Sequence, residues 1–100
     1  MYFANGRQNP TEGEFFIGSA DWMYRNLSKR IEVVTPVFAT GPKQRLWEVL
    51  DICLRDRREA WVLEPTGKYE QLMPKDGATG PEALGTHQTL MDLTRARASR

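Results

Sequence analysis

Apolar residues along this chain come mostly in short bursts broken by turn-forming residues, and only in a few stretches do they take a helical period. Tyr2 to Asn5 reads as a strand, ended by Asn5-Gly6, a pair suited to a tight turn with positive φ. The polar stretch Arg7 to Glu14, with Pro10 and Gly13, reads as a loop. Phe15-Phe16-Ile17 is aromatic and β-branched and predicts a second strand, antiparallel to the first. Trp22 to Lys29 reads as a short helix, with Asp21, or Ser19 before it, placed to accept its first N–H groups. Ile31 to Val37 is the best strand in the chain, with Val33 and Val34 adjacent and Pro36 near its end. Its nearly continuous apolar character predicts burial on both faces, as at the centre of an α/β sheet.

The longest helical pattern runs from Gly41-Pro42 to about Arg57. Leu46, Val49, Leu50 and Cys53 recur at spacings of three and four, and Trp47 and Leu54 widen the stripe. Proline in the first turn is well placed, because its missing N–H has no partner to lose there. Trp61-Val62-Leu63 and Tyr69 to Leu72 flank Pro65-Thr66-Gly67 and predict a β-hairpin. A Gly- and Pro-rich linker follows, Pro74 to Gly85, and then a helix from His87 to Ala98, capped by Thr86 and carrying Leu90, Met91 and Leu93. The pattern predicts an α/β chain: a mixed sheet of about four or five strands with the Pro42–Arg57 helix packed on it. The pattern divides at residue 73, with 74–100 as linker and final helix.

Composition narrows the function classes. The chain has 100 residues, 40% hydrophobic and 27% charged, with a formal net charge of +1, an ordinary globular balance. Without a basic excess, nucleic acid is not the expected partner. No run approaches the roughly 20 apolar residues needed to span a bilayer. The Met1–Gly6 start has neither a charged leader nor a long apolar run, so no secretory signal is expected. A lone cysteine, Cys53, can form no internal disulfide and fits a reducing cytoplasm. The immediate strand-like start, Tyr2-Phe3-Ala4, is an expected sign that the natural polypeptide begins further upstream.

Candidate chemistry lies between the second strand and the third. A strand ending in Gly18-Ser19-x-Asp21 before a helix start can hold phosphate. Glycine permits close approach, the hydroxyl donates, and the helix N–H groups add positive potential. The continuation is more specific: Asp21-Trp22-Met23, Arg25-Asn26, then Arg30-Ile31-Glu32-Val33. The run Gly18 to Ile31 resembles the last catalytic segment of long-form polyphosphate kinase. Tyr2-Phe3-Ala4-Asn5-Gly6 resembles the same family's Tyr-x-Phe-x-Asn-Gly segment, one residue shorter before the Phe. The likeness continues through the long helix and the Trp61–Leu72 hairpin. In place of the family's usual Gly-Gly and short acidic turn, this chain has the longer Gly6 to Glu12 connection, a change that loops tolerate.

That resemblance implies that 1–73 is the end of a larger catalytic domain, a phospholipase-D-like domain that is the second in the family's C-terminal half. It implies transfer of the terminal phosphate of ATP to a growing polyphosphate chain through a phosphohistidine, with magnesium. The nucleophilic histidine and most nucleotide and metal contacts would lie upstream of Met1, so this stretch alone is expected to bind no cofactor and to be inactive. The resemblance points first to Arg30 for the phosphate, since a guanidinium fork binds phosphate oxygens bidentately and keeps its charge. Ser19 and Asp21 follow as pocket lining and orienting group, and Arg25 as a rim residue. Implied partners are ATP, polyphosphate, the remainder of the polypeptide and further copies in a homo-oligomer; the setting would be cytoplasmic or membrane-associated.

Plainer roles stand beside these. Arg30 suits a helix C-terminus, and Ser19 and Asp21 suit N-caps. Trp22, Trp47 and Trp61 suit packing, and Cys53 a small buried hydrophobe. Arg55 to Arg58 and the tail arginines Arg95, Arg97 and Arg100 read as solvated. His87, the only histidine, begins a helix far along the chain from Ser19, so it is not the phosphorylated residue. A phospholipase-D-like phosphodiesterase would usually have Asn where Asp21 stands. A separate phosphate- or polyphosphate-binding module is the reading from another class.

Overall fold

Every strand pairing among the described residues is antiparallel, in two small sheets rather than one mixed sheet. The computed structural model describes residues 1–19, 23–24, 28–29 and 31–99. They divide into two units, Met1–Trp47 and Glu48–Arg100.

In the first unit, β1 (Tyr2–Phe3), β2 (Glu14–Gly18) and β3 (Val34–Val37) form a sheet with β2 in the centre. Asn5 and Gly6 both take positive φ, 51° and 71°, and the Arg7 N–H donates to the Ala4 carbonyl at 3.0 Å, closing the turn that the sequence predicted. Pro10–Glu12 then forms a 3-10 turn whose Thr11 N–H donates to Asn9 Oδ1. The Tyr2 hydroxyl donates to the Pro10 carbonyl at 2.9 Å and ties this connection down.

Register sets the two faces. Tyr2, Phe15 and Val37 align across the three strands and so share a face. The Tyr2 ring lies 4.7 Å from Phe15 and 5.1 Å from Trp47. Trp47 stands in α1 (Thr40–Arg55), whose first half belongs to this unit. Phe15 is 2% exposed and is the centre of this small core. Gly13 is obligatory here, because a Cβ would lie 2.5 Å from the Tyr2 ring and 2.6 Å from the Phe3 carbonyl.

The Ile31–Val37 segment differs from its prediction. Only Val34–Val37 is strand, and it lies at the sheet edge rather than the centre. β2 ends its pairing at Gly18 opposite Val34, so residues 31–33 pair with no strand among the described residues; Ile31 is 99% exposed. Apolar runs mark central strands only where elements cover both faces, and β3 has a partner on one side only. Pro36 fits that edge. Met1 and Phe16 exchange both backbone bonds, at 2.9 and 3.0 Å, so Phe16 turns its polar groups toward β1. Pro36, opposite Phe16, therefore needs no bond to β2, and its missing N–H falls on the outer edge.

The second unit holds the rest of α1, the hairpin β4 (Trp61–Leu63) and β5 (Tyr69–Gln71), and helices α2 (Pro81–Leu84) and α3 (Thr86–Ala98). The hairpin closes as predicted. Gly67, at φ 84°, follows the Pro65-Thr66 turn, with Glu64 N–H on the Lys68 carbonyl at 2.9 Å. Within α1 the inward position is Ile52, 4% exposed, whereas Cys53 and Leu54 face solvent. Of the predicted stripe, Leu46, Trp47 and Leu50 are half-buried and Val49, Cys53 and Leu54 are exposed, so the stripe fails toward the C-terminal end, where Ile52 takes the inward position.

Candidate functional site

Ser19 follows the last residue of β2, where the sequence places it, and its side chain is exposed. Its hydroxyl donates to Glu32 Oε2 at 3.5 Å, the outer limit of a hydrogen bond and so a weak one. An incoming phosphate oxygen can therefore compete for that proton, although the Glu32 carboxylate beside it opposes a second negative charge. Gly18 has a reason of its own. A Cβ there would lie 2.8 Å from the Val33 carbonyl and 3.2 Å from Val34 Cγ2, so glycine is required by the neighbouring strand.

Arg30, Asp21 and Arg25, the other candidate phosphate residues, lie outside the described residues, as do Trp22, Asn26 and Leu27 of the predicted short helix. Met23, Tyr24, Ser28 and Lys29 are exposed. Among the described residues, no group of three or more His, Cys, Asp or Glu could hold a metal ion, and no helix is long and apolar enough to cross a membrane. A small hollow in the first unit, lined by Glu14, Phe16, Pro36, Phe38 and Lys43 among others, does not include Ser19.

The most completely coordinated acid lies in the second unit, and sequence reasoning passed over it. Asp56, just past α1, is 4% exposed. Its Oδ1 accepts the Arg58 and Glu59 N–H groups, each at 2.8 Å. Its Oδ2 accepts the Thr86 N–H at 2.8 Å and hydroxyl at 2.7 Å. Burial by itself raises this carboxyl, but the bonds from Glu59, Thr86 and Arg58 outweigh it and hold the group well below the usual carboxylate range. Thr86 thus gives its hydroxyl to Asp56 rather than capping α3, which starts at Thr86 with Gly85 before it. The Asp56-x-Arg58-Glu59 spacing was a legible sign, since Asp side chains often accept N–H groups two and three residues on. The partner 30 residues away was not.

Several of the arginines expected in solvent are at least partly exposed to it and also carry partners. Arg55 donates to Glu82 at 2.8 and 3.1 Å, and that pairing lowers the Glu82 carboxyl and raises the guanidinium. Arg58 Nε donates to the Ala83 carbonyl. Arg97 donates to both Glu48 oxygens, at 2.7 and 2.8 Å. These partners lie 25 to 49 residues away in the chain, which the linear sequence does not reveal. Arg95 is exposed, as expected, and Arg100 lies outside the described residues. His87 is largely exposed with Nδ1 3.3 Å from Glu59 Oε2, and it is in a different unit from Ser19.

A family model described as "Polyphosphate kinase C-terminal domain 2" matches residues 1–80. The chain is 43% identical over 96 residues to a polyphosphate kinase of Synechocystis sp., covering 94% of this chain and 13% of that protein. It is 43% identical over 94 residues to one from Thermosynechococcus vestitus, 94% of this chain and 12% of the relative. Over 81 residues it is 44% identical to one from Neisseria gonorrhoeae, 80% and 11%. The chain therefore spans about an eighth of the curated relatives that it matches. No solved structure matches it.

Proposed function

Because the chain belongs to the polyphosphate kinase family, we propose that it works as part of a longer ATP:polyphosphate phosphotransferase, contributing phosphate-handling residues to a phospholipase-D-like catalytic domain. The observation that carries this reading is the match over residues 1–80, which contains the whole Gly18-to-Val33 segment. The open apolar sheet face with Phe3 and Val34, both more than two-fifths exposed, further supports a chain that is covered by other protein.

Within that reading Arg30 grips the oxygens of a transferring or acceptor phosphate through its planar fork. Ser19 gives its hydroxyl proton to a phosphate oxygen, releasing the weak bond to Glu32. Asp21 orients the arginine or the neighbouring backbone, and Arg25 adds charge at the rim. Negative charge on the transferring group is what these residues would stabilise. The phosphorylated histidine, magnesium and the nucleotide contacts belong to the remainder of the polypeptide, and no described residue here is assigned to them. The longer enzyme is a cytoplasmic or membrane-associated homo-oligomer acting on ATP and polyphosphate.

Two measurements test this. The 100-residue chain with ATP, magnesium and polyphosphate should show no turnover; turnover that persists in His87→Ala would overturn the reading. In the longer parent, Arg30→Ala should lower turnover on the order of a hundredfold, as removal of other transition-state donors does. Arg30→Lys should recover little, because a point charge does not reproduce the fork. Lys75→Ala, an exposed site, serves as the charge control. Equal effects at Arg30 and Lys75 would remove Arg30 from the phosphate site.

A further inference from the structure

The family match ends at residue 80, yet the following helices are fastened to the residues that it contains. Asp56 lies inside the matched region and Thr86 lies outside it, and the buried carboxylate spends one whole oxygen on that single residue. Its other oxygen is fixed by Arg58 and Glu59, so the group cannot swing away to follow Thr86. The contact with α3 is made by a carboxylate already locked to the end of α1.

From this geometry we infer that Asp56 is a positioning residue that clasps α3 to the end of α1, making Pro81–Ala98 an integral extension of the family domain rather than a linker and tail. Three further attachments run in parallel: Arg55 to Glu82, Arg58 to the Ala83 carbonyl, and Arg97 to Glu48. Arg55, Glu82 and Arg97 are all about a third exposed or more, so water can replace what their pairings supply. Asp56 differs because it is 4% exposed, so removing the Thr86 donors leaves a buried charge short of partners. Glycine at position 85 belongs to the same device. Its φ is 83°, a conformation that favours glycine, and a Cβ there would lie 3.1 Å from the Glu59 side chain, which would have to move aside.

Amide hydrogen exchange on the 100-residue chain distinguishes a clasp from a passive contact. Asp56→Ala should lower the protection of α3 amides at least tenfold while the β2–β3 amides keep theirs. Should that variant fail to fold, Thr86→Val removes only the hydroxyl arm and should lower α3 protection severalfold, and Thr86→Ser should restore it. Arg97→Ala should affect α3 less than Thr86→Val does. Unchanged α3 protection in Thr86→Val, or an equal loss in Thr86→Val and Thr86→Ser, would overturn the clasp, as would a larger loss in Arg97→Ala.

Discussion

The two units of this chain are held together by different chemistry. In Met1–Trp47 a three-stranded ladder carries stacked rings, with Tyr2 set between Phe15 and Trp47. In Glu48–Arg100 the buried apolar side chains among the described residues are Ile52 and Pro81, and polar fastenings lie beside them: Asp56 to Thr86, Arg55 to Glu82, Arg97 to Glu48. The first arrangement depends on burial and backbone bonds, so changes of pH and salt should affect it little. The second depends on charge and on amides reaching carboxylates. The lesson concerns small units: when few apolar residues are available, a buried, fully hydrogen-bonded carboxylate can join elements that a core would otherwise join.

The largest effect that would test this contrast is Phe15→Ala, which opens a cavity under Tyr2 and should cost about 3–5 kcal/mol, as for other buried aromatics. Amide exchange should show the loss in β2 and β3, with α3 little changed. Equal loss in both units would break the comparison.

Acid provides a second, intermediate test. Asp56 has a depressed pKa in the folded state, so its contribution is present above the unfolded-state value of about 3.9 and is lost as pH falls toward the folded value. Protection of α3, corrected for intrinsic exchange, should hold from pH 7 to about pH 4 and fall below that, while the β2–β3 ladder persists further. Loss of α3 protection already between pH 7 and pH 5 would show that Asp56 does not carry the acid dependence.

The smallest expected change is Arg97→Ala. Its guanidinium meets both Glu48 oxygens but remains 37% exposed, so the loss should be at most about 1 kcal/mol and should shrink further in high salt. A salt-independent loss above 2 kcal/mol, measured by denaturant unfolding, would show that this pair is structural rather than peripheral.

Local rules were enough for much of this chain. Asn5-Gly6 forces positive φ, Pro65-Thr66-Gly67 closes a hairpin, and the Gly41-Pro42 start opens a long helix, because each depends on residues within one turn of one another. The family is likewise legible in the Gly18-to-Val33 string and is matched over residues 1–80. Of the candidate phosphate residues, Ser19 falls where the strand pattern puts it, at the end of β2. What the string could not specify is which side of an apolar segment finds a partner. Ile31–Val37 reads as a central strand but borders the sheet, since pairing is decided by where β2 ends. Cys53 reads as buried but faces outward, because Ile52 and not Cys53 points into the unit. Asp56 reads as one charge in an acidic and basic run, and its role arises only when folding carries Thr86 across 30 residues to its second oxygen. Turns and helix starts are short-range and written in neighbouring residues; burial, edge position and long-range hydrogen bonds belong to whatever the fold brings alongside.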